Sequence, residues 1–327
     1  MEFLSLRALA LGALLPAALL CVLAGATARF WPDGALVGTF GRMLDSLAPQ
    51  LFVLSLLLCA ALALLGLPRL ALGLALLSAL GQGALLMDQR GRARPLAEAE
   101  TQAPFTAIWF NLYEQNATPP ERLAEAILQS GVDLVALGEA DPIRPVLPLL
   151  ETVYPYRIGC EGRRCGVLLL SRHPFAPGTQ ELANISRRER LVRARVEPEG
   201  RAPLEVLVEH MAKPWFYGFV EDDRWYLLDR LALIRQTSGP EAPVLVMGDF
   251  NAAPWSRPIA MLLREAGLAP PRRPVPTWPA AAGPLGVPID QVLVGGHARL
   301  TALAPWGGDL GSNHRGIRAL VIWPEVG

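Results

Sequence analysis

Lysine is almost missing from this chain: Lys213 is the only one among 327 residues, so nearly all positive charge is arginine. Charge of either sign is scarce, with Asp, Glu, Lys and Arg making up 18% of residues, against ~25% in an average soluble protein. Neither sign dominates, because 30 basic residues meet 30 acidic ones. The lack of net positive charge disfavours a basic nucleic-acid-binding module, whose electrostatic footprint is an excess of Lys and Arg. High net charge with low hydrophobicity marks a disordered chain, and this chain, 52% hydrophobic, has neither. Cysteine is scarce too, and four in so long a chain do not make a disulfide scaffold.

What is present in excess is apolar sequence, and it is concentrated at one end. Uncharged stretches of 21, 23 and 18 residues lie between Arg7 and Arg29, Asp45 and Arg69, and Arg69 and Asp88. A bilayer span needs ~20 predominantly apolar residues, so all three qualify, the third marginally. Ala26-Thr27-Ala28 resembles a signal-peptide cleavage site, but the apolar run before it exceeds a ~7–15-residue signal core. Two more such runs follow at once, and none shows the polar face of a soluble core helix. The expectation is a membrane region, 1–88, with three transmembrane helices at about 8–28, 47–67 and 70–87. A polar, Pro-containing linker at 89–103 and a soluble domain at 104–327 follow. Without residues 1–88 the chain keeps 26 basic and 26 acidic residues.

The soluble part alternates strands and helices. Strands are expected at 105–110, 132–137, 167–170, 191–196, 204–208, 244–247, 292–294, 300–303 and 317–323, by apolar runs and turn residues. Helices are expected at about 119–129, 222–236 and 256–266, the second with Trp225, Leu228, Leu231 and Ala232 along its apolar side. Many strands with few helices between them suggest two packed sheets with helices outside.

Chemistry-bearing residues sit at the ends of these strands: Asn111, Glu139, His210, Asp249 and Asn251, Asp290, and Asn313 with His314. Polar groups at one sheet edge can converge on one cleft. Carboxylates and amides are hard oxygen donors that suit Mg²⁺ or Mn²⁺. Asp249 and Asn251 are two apart, so on a strand they face the same way. Taken singly each residue has an ordinary reading as a turn, cap or structural histidine.

Taken together, Trp109-Phe110-Asn111, Leu137-Gly138-Glu139, Gly166 to Arg172, Gly248-Asp249-Phe250-Asn251, Ile289-Asp290 and Gly311 to Arg315 resemble the endonuclease/exonuclease/phosphatase superfamily, the deoxyribonuclease I-like fold. Pro254-Trp255-Ser256 and the apolar N-terminus resemble its bacterial membrane-attached members. The resemblance implies an α/β chain, a four-layer αββα sandwich of two mostly antiparallel sheets, here preceded by three transmembrane helices. It implies a Mg²⁺- or Mn²⁺-dependent hydrolase of phosphodiesters or phosphomonoesters. Glu139 would hold the metal, with Asn111 and a carbonyl ligand from Asn313. Asp249 would orient and deprotonate water, Asn251 would contact water and phosphate, and His314 and His210 would contact the phosphate. Asp290 would fix the tautomer of His314. The sequence departs from the family at Gly138, where Gln is usual, and at Asn313, where Asp is usual.

The implied partners are a phosphoester substrate, lipid-linked substrates among them, and the lipid bilayer; nucleic acid is not favoured. Two other readings are a phosphate-binding module without turnover and a nuclease. The loop from Lys213 to Phe219 carries four aromatics in five positions. Packing against the following helix is the simpler reading, and a substrate or membrane-interface contact is the other. Sidedness draws two answers. Five Arg against two place the domain in the cytoplasm by the positive-inside rule. Cys160 and Cys165 flank a short turn where a hairpin could join them, and a disulfide belongs to the periplasm. The pair is the more specific feature, so the expectation is a multi-pass bacterial inner-membrane protein with its domain facing the periplasm.

Overall fold

The computed structural model describes residues 2–97, 103–185 and 188–324. The chain divides into two units, one of Met1–Arg92 with Trp255–Ile259 and one of Ala93–Pro254 with Ala260–Gly327.

The first unit is helical: α1 (Glu2–Thr27), α2 (Val37–Ser46), α3 (Ala48–Leu64) and α4 (Pro68–Arg92). Leu- and Ala-rich faces of α1, α3 and α4 pack around Ala18, Cys59, Leu62 and Leu74. A hydrogen bond of 2.9 Å joins Ser78 Oγ to Ser55 Oγ between α4 and α3. Leu6–Phe30 and Pro68–Arg92 are long and apolar enough to cross a bilayer. α2 and α3, bent by 72°, make a third crossing if the pair is one span. The ranking of the stretches reverses the sequence expectation. The longest uncharged run gives the 17-residue α3, because Pro49 sets its start and Gly66, at φ 94°, ends it. The marginal run gives the 25-residue α4, because helix continues through the Asp88–Arg92 pair, 2.6 Å apart at i,i+4.

The stretch expected as a linker therefore begins as helix. Beyond Arg92, Arg94 bridges to Pro271 and the Ala97 N–H donates to Leu300 O at 2.8 Å. Residues 98–102 lie outside the described residues.

The second unit runs β1 (Phe105–Asn111), α5 (Pro120–Ser130), β2 (Leu134–Gly138), a 3-10 turn into α6 (Leu147–Leu150), β3 (Tyr156–Gly159), β4 (Val167–Ser171), β5 (Glu181–Ile185) and β6 (Arg188–Val196). It continues with β7 (Leu204–His210), α7 (Tyr217–Ser238), β8 (Val244–Asp249), α8 (Arg257–Ala266), β9 (Asp290–Gly295), β10 (Arg299–Trp306) and β11 (Gly316–Ile322). One sheet has the order β10-β11-β1-β2-β4-β3, the other β5-β6-β7-β8-β9. Only β1–β2 and β7–β8 pair in parallel. Alternate residues of both sheets, among them Ala107, Trp109, Ala136, Val192, Val206, Met247 and Val292, form one core between them. The opposite face of β1, β2 and β4 packs on Leu123 and Ile127 of α5 and on Leu147 and Leu150 around α6. Helices thus cover sheets that are buried on both faces, which is why β2, β4 and β8 read as unbroken apolar runs.

β3 was implied only by the expected Cys160–Cys165 hairpin and β5 was not expected; both are edge strands with short polar-interrupted sequences. α7 starts at Tyr217, five residues before the expected Asp222. Its buried stripe is Asp223, Leu227, Leu231 and Ile234, whereas Trp225 is 61% exposed. The period was legible and the phase was not, because the buried face carries a carboxylate.

Candidate active site

Strand register builds the site. β7 and β8 pair so that His210 stands beside Asp249, and β8 and β9 pair so that Asp249 stands beside Asp290. In the other sheet Asn111 at the end of β1 stands beside Gly138, one residue before Glu139. The two sheet edges meet where Asn111 Nδ2 donates to Asp249 Oδ2 at 3.0 Å. Gly248 permits the close strand contact here, since a Cβ there would strike the Glu209 carbonyl.

Asp249 is buried. Its Oδ1 accepts the Asn251 N–H at 2.8 Å, a turn that holds Asn251 in the left-handed region at φ 49°. The Asn251 side chain donates to Met211 O at 2.8 Å. Burial, then the neighbouring Asp290, pushes the Asp249 carboxyl up to about 7. A carboxyl near half-ionisation at neutral pH is suited to take a proton.

His314 lies in the loop before β11. Its N–H donates to Ser312 Oγ at 3.0 Å, and Ser312 Oγ donates to Asn111 O at 2.7 Å. His314 Nδ1 donates to Asp290 Oδ2 at 2.8 Å. Burial lowers the imidazolium, but Asp290, Asp249 and Glu139 outweigh it and hold His314 up at about 9. The other oxygen of Asp290 accepts the Trp109 indole N–H at 2.7 Å, and the Asp290 N–H donates to Thr277 Oγ1 at 3.2 Å. His314 Nε2 points to Asp249 Oδ2 at 3.8 Å. His210 Nε2 is 3.9 Å from that same oxygen and 3.8 Å from Glu139 Oε1. These gaps are too long for direct hydrogen bonds. Burial holds His210 down at about 4 despite Glu139, so it is neutral where His314 is charged.

Glu139 is half-buried and left-handed at φ 47°. Its N–H donates to Gly166 O at 2.8 Å and the Ala140 N–H donates to Cys165 O at 2.8 Å, which anchors the turn to the start of β4. Cys165 is disulfide-bonded to Cys160, with Cα atoms 4.4 Å apart. Burial raises the Glu139 carboxyl, but the Glu114 N–H, donating to Oε2 at 2.8 Å, and the charges of His210, Lys213 and His314 bring it below the ordinary range.

Hard oxygen donors and an ionised carboxylate suit a divalent cation at Glu139. Asn111 Oδ1 accepts the Tyr113 N–H at 2.9 Å and keeps a second lone pair. Asn313 is exposed, and its backbone carbonyl accepts the Ala280 N–H at 2.8 Å. Among the described residues no hydrogen bond joins its side chain to Glu139 or Asn111. Asp249, Asp290 and His314 also bring ligand atoms within 4.8 Å of one another. That trio is poorly suited to a cation, because a doubly protonated imidazole has no lone pair to give.

The structure therefore brings together Asn111, Glu139, His210, Asp249, Asn251, Asp290 and His314, and leaves Asn313 at the margin. Sequence reasoning overlooked the supports of this set. Trp109 shares its strand face with Asn111, and a Cβ on Gly138 would lie 2.8 Å from the Trp109 ring. The missing side chain at 138 is thus the space that the indole occupies. Arg190 Nη1 donates to His210 O at 2.8 Å and lies 3.6 Å from Asp223, whose Oδ2 accepts the Ala212 N–H at 2.6 Å. The signal for Asp223 was a carboxylate inside an otherwise apolar helical stripe.

A cleft of about 800 Å³ opens beside Glu139 and His210 and runs on to Lys213, Trp215 and Phe216.

Comparison with known proteins bears on this constellation. The model of a family described as the endonuclease/exonuclease/phosphatase family matches residues 108–314. The fold resembles an endonuclease/exonuclease/phosphatase from Beutenbergia cavernae DSM 12333, at 19% identity over 68% of this chain and 72% of that one, with a TM-score of 0.53. It also resembles truncated Caenorhabditis elegans TDP2, at 15% identity over 66% and 96% and a TM-score of 0.54. Sphingomyelinase C from Streptomyces griseocarneus is similar at 18% identity over 67% and 99%, with a TM-score of 0.51. Identities this low establish a shared fold. No curated protein matches the sequence.

Proposed function

The chain belongs to the endonuclease/exonuclease/phosphatase family, a family of phosphoester hydrolases, and on that premise we propose a membrane-anchored, divalent-metal-dependent phosphoesterase that attacks a phosphodiester or phosphomonoester with water. The observation that carries the reading is geometric: His314 Nε2 and His210 Nε2 lie 3.8 and 3.9 Å from the same Asp249 oxygen, and Asp290 accepts His314 Nδ1–H at 2.8 Å. His314 is held up at about 9, His210 down at about 4, and Asp249 stands between them at about 7.

Each group has one task. Asp249 accepts the proton of the attacking water at its carboxylate oxygen, with Asn111 and the Asn251 N–H fixing that carboxylate. His314 offers Nε2–H to the phosphate as a cation, where charge accumulates in the transition state. Asp290 holds the ring and keeps it protonated. His210 donates as a neutral imidazole. Glu139, with Asn111, would hold Mg²⁺ or Mn²⁺, which supplies Lewis-acid stabilisation of phosphate charge. Phosphate esters are among the most inert substrates, and such combined stabilisation of ~20 kcal/mol is what their hydrolysis demands.

The apolar helices α1 and α4, with α2–α3 as a third crossing, support membrane anchoring. The Cys160–Cys165 bond supports a periplasm-facing domain on a bacterial inner membrane. The test of the metal assignment is Glu139→Gln. Calorimetry with Mg²⁺ or Mn²⁺ should show weakened binding in step with lost activity, and unchanged metal affinity would refute the assignment.

A further inference from the structure

The sequence left the segment from Lys213 to Phe219 between packing and contact. In the structure these aromatics do not pack into the core: Trp215, Phe216 and Phe219 are 51%, 47% and 45% exposed. They pack on each other, Trp215 with Phe216 at 6.2 Å between ring centroids and Phe216 with Phe219 at 6.1 Å. Large exposed apolar patches in a folded domain mark interaction surfaces.

This patch continues the catalytic cleft, for Trp215 and Phe216 line the same cavity as Glu139 and His210. Between the two ends stands Lys213. Its charge reaches Glu139, and its ammonium lies 5.9 Å from the Trp215 ring centroid. The cleft therefore runs from Glu139 and His210, past a charged wall that includes Arg163, Arg164 and Arg190, through Lys213 to an aromatic rim. A substrate that matches this order carries phosphate at one end and hydrocarbon at the other.

The geometry points to a lipid-borne phosphoester as the substrate class, with Trp215 and Phe216 as the seat of its hydrocarbon chain and Lys213 beside its headgroup phosphate. The assignment rests on the phosphoesterase reading and names its substrate. Stacked nucleobases fit the rim less well. The rings are tilted to one another by 53° and 36° and present no parallel platform. A backbone-tracking groove needs excess basic charge, and in this cleft Arg163, Arg164, Arg190 and Lys213 are balanced by Glu114, Glu139, Asp141 and Glu189. The apolar helices of the same chain fit a bilayer, where such a substrate resides.

The test compares hexylphosphonate with methylphosphonate, both water-soluble, by calorimetry on the full chain in detergent with Mg²⁺. Burying even part of five extra methylenes on the rim should make the hexyl compound bind about tenfold tighter, since each buried methylene is worth a few-fold. Trp215→Ala/Phe216→Ala should bring the ratio of the two affinities close to one, and Trp215→Gln should reduce it part-way. Equal affinities in the wild type, or a ratio that survives the double substitution, would overturn the assignment. So would a variant that loses thymidine 5′-monophosphate binding more than hexylphosphonate binding. If neither phosphonate binds, the phosphoesterase reading itself fails and the lipid assignment falls with it.

Discussion

Asp290→Asn isolates the electrostatics of the site, because Asp290 has two oxygens with two different duties. One accepts the Trp109 indole N–H at 2.7 Å and the other accepts His314 Nδ1–H at 2.8 Å. An amide in that place has one acceptor. Among the described residues the fully buried indole N–H bonds only to Asp290, so the amide oxygen turns to Trp109 and the NH₂ faces His314. Nδ1 then has to accept a hydrogen bond, and the ring becomes neutral with its proton on Nε2. Asp290 is the largest influence raising His314, and burial opposes it. Asp290→Asn is expected to bring the imidazolium down from about 9 to the ordinary histidine value of ~6.5. That is about 3 kcal/mol at ~1.4 kcal/mol per pH unit. At pH 8 the protonated fraction drops from about nine-tenths to a few per cent, ~30-fold, and the loss of a fixed cation in the transition state brings the total to ~10²–10⁴ in kcat. The assay is the pH profile of kcat for bis(4-nitrophenyl) phosphate. The wild type should lose activity above about 9, and the variant near 6.5 or below. Stability follows the same sign. His314 contributes fully below pH ~6.5, and the contribution is lost as pH rises through about 9; the variant should lack that slope. A basic limb that stays near 9 in Asp290→Asn would refute the reasoning.

Trp109→Phe keeps an aromatic ring and removes the N–H, leaving a buried carboxylate oxygen of Asp290 unsatisfied. It should cost ~1.5–3 kcal/mol, read as a ~10–100-fold loss in kcat with KM little changed. Gly138→Ala forces a Cβ to 2.8 Å from the Trp109 ring and should destabilise by ~1–3 kcal/mol in urea unfolding. Combined with Trp109→Phe its cost should shrink, and strict additivity would contradict the shared-space explanation. For sidedness, Cys160 and Cys165 should resist maleimide in intact cells until a reductant is added. Free reactivity, together with a reporter after Gly327 that works only in the cytoplasm, would reverse the orientation.

The parts legible in sequence were those where burial and chemistry speak together. Val244–Met247 is wholly apolar and ends in Asp249 and Asn251, so strand and site announced themselves at once. The same holds for Asn111 at the end of β1 and His210 at the end of β7. β5 escaped notice and β3 was implied only by the Cys160–Cys165 hairpin, because edge strands are half-exposed and carry mixed residues, and no run of Tyr156–Gly159 or Glu181–Ile185 looks apolar. The phase of α7 was misread because Asp223 is buried to hold the Ala212 N–H and meet Arg190, a role set by tertiary contacts alone. Trp109 was visible within its motif, but its partner Asp290 is 181 residues away. Gly138 read as a departure from the family pattern until the indole was seen to fill its space. Charge boundaries located the apolar helices but not the end of α4, since an i,i+4 ion pair lets that helix continue where a count of charges stops.

Hydrolysis of bis(4-nitrophenyl) phosphate and 4-nitrophenyl phosphate by the full chain in detergent, with Mg²⁺ and after chelation, tests the central claim most directly when run beside His314→Ala. The account predicts turnover of at least one ester with Mg²⁺, loss of that turnover on chelation, and a fall of ~10³-fold or more in kcat for His314→Ala with the fold retained. Absence of Mg²⁺-dependent turnover in the wild type, or wild-type rates in His314→Ala, would contradict it.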